Sequence, residues 1–199
     1  MPPGLVNTVR YGEMKTKSKT AEDWEEAALA AIAAGGLRSL AIPDLARTLG
    51  VTKGSFYWHF ASLDELIAGA LRRWEALDGA IVTELDTIAD PRARLRSGFT
   101  EARQGLRAHA LYAALSGSDD ARVIAVLRRI SERRLRFLAA AYTELGLASE
   151  EAENQAMLAH LAYIGLIHIR KTAFPRRLTA ARMEAFLAHA VDALVPHSR

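Results

Sequence analysis

Apolar residues recur along this chain at helical spacing almost from its start. Trp24, Ala28, Ala31 and Ile32 form the first such series, opened by Thr20 as a helix cap. Glu22, Asp23, Glu25 and Glu26 fill its first turns, where negative charge complements the helix dipole. Gly35-Gly36 ends it. Pro43 then stands where a first helical residue belongs, and a short helix carrying Leu45, Ala46 and Leu49 stops at Gly50. A third helix is predicted from Thr52 to about His59. Ser62-Leu63-Asp64-Glu65 reads as a capping box that opens a fourth, through Leu66, Ile67, Leu71 and Trp74. Asp90-Pro91 marks the next start, and further helices are predicted at roughly 91–115, 119–146, 150–172 and 179–195. The last carries an apolar stripe of Met183, Phe186, Leu187, Ala190, Val191 and Leu194.

Composition agrees with this all-α pattern. The 38 Ala and 26 Leu, the best helix formers, outweigh 8 Val and 10 Ile. With no Cys among the 199 residues, a disulfide scaffold, a Cys-bound metal and a thiol nucleophile are excluded, and a reducing cytoplasm suits the chain. Charge decides little. Residues 1–75 hold nine basic and nine acidic side chains, so any nucleic-acid reading must rest on local placement. The most apolar stretch, Ala156–Ile169, is too short for a membrane span and contains His160, Tyr163 and His168. No apolar leader precedes the first helix, and residues 1–19 read as a flexible tail. No metal-ligand cluster, HExxH, GxSxG, Gly-rich phosphate loop or inward Glu-x-x-His pair is present, so neither catalytic residues nor a cofactor are expected.

Residues 44–60, DLARTLGVTKGSFYWHF, have helix-turn-helix spacing, with Leu45, Leu49 and Val51 placed to pack the two helices together. On a helical wheel Phe56 and Phe60 face the core, while Gly54, Ser55, Tyr57 and Trp58 lie on the opposite side. One reading puts that side in the DNA major groove. Gly54 then allows close approach, Ser55, Tyr57 and Trp58 reach base edges, Thr52, Lys53 and His59 hold phosphates, and the helix N-terminus adds N–H donors. The other packs Tyr57 and Trp58 against protein. Spacing alone leaves both open.

The block from Gly50 to Phe60 fits the string Gly-Val-(Ser/Thr)-Lys-Gly-(Ser/Thr)-hydrophobic-Tyr-x-His-Phe, and residues 20–74 as a whole resemble the N-terminal domain of the TetR (tetracycline repressor) family. The resemblance implies a three-helix DNA-binding head at 20–66 and a helical effector and dimerisation domain at 67–199. It implies a homodimeric repressor of double-stranded operator DNA, palindromic in sequence and released by a small molecule. On that basis Thr52, Lys53, Ser55, Tyr57 and His59 inherit DNA-contact roles, and Trp58 occupies the variable position that tends to set sequence preference. Three features depart from the family pattern. Ala41 replaces the usual Ser or Thr cap of helix two, Leu63 replaces a phosphate-contacting Lys, and the head is electrically neutral.

In the C-terminal part, the helices at 150–172 and 179–195 are the expected dimer faces, a monomeric bundle being the alternative. Arg122, Arg128, Arg129, Arg133 and Arg136 read as a solvated face. Arg134 falls on the apolar side and needs an acidic partner, the usual outcome, or an anionic effector. His109, Tyr112, His160 and Tyr163 each read first as core or interface residues. With Arg134 they make a mostly apolar effector pocket plausible, suited to an apolar or aromatic molecule. The alternatives are an enzyme on an all-α scaffold and a helical protein-interaction module using Tyr57 and Trp58 as a hot spot.

Overall fold

The computed structural model describes residues 19–104, 106–172 and 179–196. Its regular structure among the described residues is helical, in the order α1 (Ala21–Gly35), α2 (Ile42–Leu49), α3 (Lys53–Phe56), α4 (Leu63–Asp86), α5 (Pro91–Gln104), α6 (Leu106–Leu115), α7 (Ala121–Glu144), α8 (Ser149–Thr172) and α9 (Ala180–Leu194), with a single 3-10 turn at Leu37–Ser39. Residues 1–18, the bulk of the expected tail, lie outside this set.

Local signals set most boundaries. Thr20 and Asp23 form a reciprocal capping box, with Asp23 N–H donating to Thr20 Oγ1 at 3.2 Å and Thr20 N–H to Asp23 Oδ2 at 2.9 Å. Gly50 closes α2 in the left-handed region at φ 69°, where a side chain would be strained. Ser62 caps α4 by accepting from Glu65 N–H at 3.2 Å, while Glu65 accepts from Ala61 N–H at 2.7 Å. Two spans need comment, and only the second differs from its expectation. In the first, the helix predicted over 91–115 is described as α5 and α6 on either side of residue 105, which lies outside the described residues, and both are helical as expected. The helix expected from Thr52 to His59 is only the four residues of α3, continued by a turn.

Two apolar cores lie along the molecule. The first joins α1, α2, α3, α4, α6 and α7 through Trp24, Ile32, Leu45, Phe56, Phe60, Leu66, Trp74, Leu111, Leu115 and Ile130. The second joins α5, α7, α8 and the end of α9 through Leu95, Tyr142, Ala152, Ala156, Ala159 and Val195. Helix α4 enters the first core at its start and leaves it at Trp74, running unbroken across the boundary expected after residue 66. On the far side of the body, the nearly buried Arg94 of α5 grips Glu144 of α7 with two bonds of 2.8 and 3.1 Å.

Helix α2 begins at Ala41 with extended backbone and no capping side chain. A serine there supplies the missing acceptor. Ala41→Ser is expected to raise stability by about 1 kcal/mol, read as a rise in the thermal unfolding midpoint, and no change would show that Pro43 already compensates.

Candidate nucleic-acid interface and effector cluster

The first candidate site is the end of the head formed by Thr52–His59. Phe56 is fully buried against Trp24, edge-on with ring centroids 5.3 Å apart, and Phe60 stacks on Phe56 at 5.6 Å. These two anchors hold the segment down. Between them the chain makes tight bonds, from Tyr57 N–H to Gly54 O and from His59 N–H to Phe56 O, before Phe60 N–H returns to Phe56 O. The helix is short because Gly54 and the β-branched and aromatic neighbours are poor helix formers, and because both Phe side chains must reach one pocket. What remains outside is Thr52, Lys53, Gly54, Tyr57 and Trp58, all exposed, with Ser55 and His59 half-buried beside them. Trp58 is 86% exposed and Tyr57 56%, the two largest aromatic surfaces left open among the described residues. Thr52 makes no capping bond with its side chain. A four-residue helix sums few peptide dipoles, so its N-terminus alone offers an anion little.

The second candidate site is a polar cluster inside the body. It brings together Tyr112 of α6, Arg134 of α7, and His160 and Tyr163 of α8. The side chain of His109, also expected there, lies outside the described residues, as does that of His168. At the centre is Asp78 of α4, 5% exposed, which is not among the residues expected from the sequence. Arg134 donates to its Oδ1 through Nε at 2.9 Å and Nη2 at 2.5 Å, and Arg133 donates to Oδ2 at 3.3 Å. Arg134 therefore has the acidic partner that its inward position demanded. Its guanidinium also lies 5.1 Å from the Tyr163 ring centroid and 5.9 Å from that of Tyr112. Tyr112 packs edge-on against Trp74 at 6.3 Å and shares a hydrogen bond of 3.1 Å with Ser131.

Arginines expected to form a solvated face are partly engaged. Arg129 holds Glu75 with two bonds of 2.7 Å. Arg133 lies across Gly79, where an added Cβ would stand 3.2 Å from its Nη1. Arg122 joins Asp120 at 2.7 Å and Asp64, in the first turn of α4, at 2.9 Å. Asp120 is held down to about 2 by that guanidinium. Partners on other helices are invisible to a single helical wheel, which explains the difference. Asp78 did carry a signal, because it continues the buried series Leu66, Ala70, Leu71 and Trp74 one turn further along α4.

His160 is 4% exposed, and burial together with the charge of Arg134 lowers it to about 4, against an opposing pull from Asp78. Its unfolded form takes up a proton below about 6.5, its folded form only near 4. Stability is therefore expected to fall by up to about 1.4 kcal/mol per unit as pH drops through that window and to stay level above it. Denaturant titrations between pH 4 and 7.5 measure this, and His160→Gln flattens the lower arm; an unchanged slope in that variant would assign the dependence to other groups.

Residues 26–70 match the model of the bacterial regulatory proteins of the tetR family. No curated protein matches the chain in sequence. Among solved structures, a transcriptional regulator from Rhodococcus sp. Rha1 superposes with a TM-score of 0.71 at 23% identity, over 89% of this chain and 94% of that one. A TetR-family regulator from Agrobacterium tumefaciens gives 0.67 at 20% identity, over 88% and 97%. AibR, solved with isovaleryl coenzyme A and operator DNA, gives 0.64 at 16% identity, over 89% and 99%. These likenesses extend the shared fold from the head through the body.

Proposed function

We propose that this chain, whose residues 26–70 match the model of the tetR family of bacterial regulatory proteins, is a ligand-responsive transcriptional regulator that works as a homodimer on operator DNA. The observation that carries the reading is the Thr52–His59 surface. Two buried phenylalanines fix a short segment whose outward side presents Lys53, a bare Gly54, Tyr57 and a nearly fully exposed Trp58. Gly54 admits close approach of the backbone to a groove. Tyr57, Trp58 and Ser55 meet base edges, and Thr52, Lys53 and His59 meet phosphates. Functionally, residues 20–66 read the DNA and residues 67–199 sense the effector and dimerise, although the first core runs through both.

Exposed apolar groups support the dimer. Met157, Leu158 and Leu161 of α8 and Phe186 of α9 are about half exposed, on the two helices expected to pair with a second copy. The side chains of Met183 and Leu187 lie outside the described residues. A dimer places two heads for a palindromic site. An effector bound in the body shifts the spacing of the heads and releases the DNA, so the regulator acts as a repressor. No helix among the described residues is long and apolar enough to cross a membrane, and the site of action is the cytoplasm, with the DNA.

Fluorescence anisotropy on the DNA upstream of the chain's own gene, beside a scrambled duplex, tests the central reading. Specific binding is expected to exceed the scramble by about a thousandfold. Lys53→Ala weakens both and reduces the salt slope by about 0.9 for each phosphate that the lysine had neutralised, whereas Trp58→Ala changes which sequence is preferred. Absence of binding even at low salt would refute the regulator and leave Tyr57 and Trp58 as a protein-binding surface. Leu161→Glu is expected to weaken dimerisation by at least about a hundredfold in analytical ultracentrifugation, since each copy then buries a charge in the interface. A dimer unaffected by it would place the interface elsewhere.

A further inference from the structure

The cluster around Asp78 leaves one buried polar atom unanswered. Asp78 is shared by Arg133, which also donates to Glu75 O at 3.1 Å, and by Arg134. Both Arg134 bonds to Asp78 fall on a single oxygen, Oδ1, rather than on two oxygens in the fork that guanidinium and carboxylate form at their strongest. Beside them His160 is 4% exposed, and among the described residues its Nε2 has no hydrogen-bond partner. A buried polar atom left in that state is unfavourable, and a bound acceptor relieves it. Around this polar centre the surfaces are aromatic: Tyr112 and Tyr163 beside the guanidinium, with Trp74 behind Tyr112.

We propose that this cluster is the head-group site of the effector, and that it takes a small organic carboxylate with an aromatic or alkyl body, which pairs with Arg134 in exchange for Asp78 and accepts a hydrogen bond from His160 Nε2. The assignment rests on the ligand-responsive reading given above and names the chemistry of that ligand. A cationic ligand would meet two guanidiniums. A neutral one could not replace Asp78 without leaving the Arg134 charge unanswered in a largely apolar surrounding. A carboxylate does replace it, and its body lies against the Tyr and Trp rings.

The exchange has a mechanical consequence. Asp78 belongs to α4, the helix that begins directly after the DNA-facing segment, and Arg134 belongs to α7. A carboxylate that occupies Arg134 removes a tie between those two helices. The ligand therefore favours arrangements of α4 that the unliganded pair holds in check.

Isothermal titration calorimetry on the full chain, in the absence of DNA, tests the site. The probes are benzoate, phenylacetate and octanoate, each beside its primary amide. At least one acid is expected to bind the wild type, with its amide weaker by about tenfold or more. Asp78→Asn removes the competing charge and is expected to raise the affinity for that acid by about tenfold. The double change Asp78→Asn with Arg134→Gln, which leaves Arg133 to its other partner Glu75, is expected to abolish binding while circular dichroism reports an intact fold. Equal binding of acids and amides, no binding of any acid at millimolar concentration, or weaker acid binding in a folded Asp78→Asn variant would each overturn the proposal. The acid-against-amide comparison needs no variant, so it stands even if a substitution prevents folding. Because DNA is absent, the two readings separate: acid binding without operator recognition sinks the regulator and keeps the site, and the reverse sinks the site alone.

Discussion

A carboxylate buried on a long helix fixes how the two ends of this molecule relate. Asp78 lies 16 residues beyond the Ser62 cap of α4, about 24 Å along the axis from the start of the helix beside the Thr52–His59 segment. Removing one member of such a buried ion pair costs about 3–5 kcal/mol, because the other charge is left uncompensated. Replacing the whole set by well-packed apolar side chains is often neutral or stabilising. Overall stability is therefore a poor account of why Asp78, Arg133 and Arg134 stand there. Position is a better one: the pairing sets the register of α4 on α7 and gathers Tyr112 and Tyr163 around one guanidinium.

The head shows the converse choice. Trp58 keeps a large apolar surface in water, and burial of such a side chain is worth about 2 kcal/mol or more that the fold forgoes. The exposed side chain nevertheless starts from a rigid base, because Phe56 and Phe60 are locked under it by Trp24. Rigidity matters for recognition, since a side chain already held in place loses less conformational freedom on binding. With nine basic residues against nine acidic ones in the first 75, the charges of the head balance, so any attraction it exerts on a polyanion depends on where those charges stand rather than on their sum.

How far the sequence disclosed this can be judged residue by residue. Caps and stops are local chemistry, so Thr20, Pro43, Gly50 and Ser62 announced α1, α2 and α4. The sides of Phe56, Phe60, Tyr57, Trp58 and Arg134 followed from a wheel, because each depends on the periodicity of its own segment. The length of α3 did not, since two aromatic anchors override the ideal helical path. Nor did the engagement of Arg122, Arg129 and Arg133 by the α4 carboxylates Asp64, Glu75 and Asp78, although Asp120, which also holds Arg122, is the local N-cap of α7. Which helix lies against which is a tertiary fact, and a charge on a wheel looks solvated until its neighbour is known.

The connection between the body and the head has two components of unequal weight. Ion pairs cross between them, Arg122 to Asp64 and Arg73 to Glu26, but they lie at partly exposed positions, where a pair contributes about 0–1 kcal/mol and salt screens it. The apolar component is continuous: Leu111, Tyr112 and Leu115 of α6 share one core with Trp24, Ala28 and Ile32 of α1, and α1 carries the platform on which Phe56 rests. Close-packed interiors resist gradual deformation, so a displacement of α6 cannot be absorbed locally. Tyr112 belongs to both systems, with its residue in that core, its hydroxyl on Ser131 and its ring beside Arg134. A rearrangement at Arg134 thus bears on the packing beneath the Thr52–His59 segment through one side chain, and raised salt, which weakens the surface pairs, leaves that route intact.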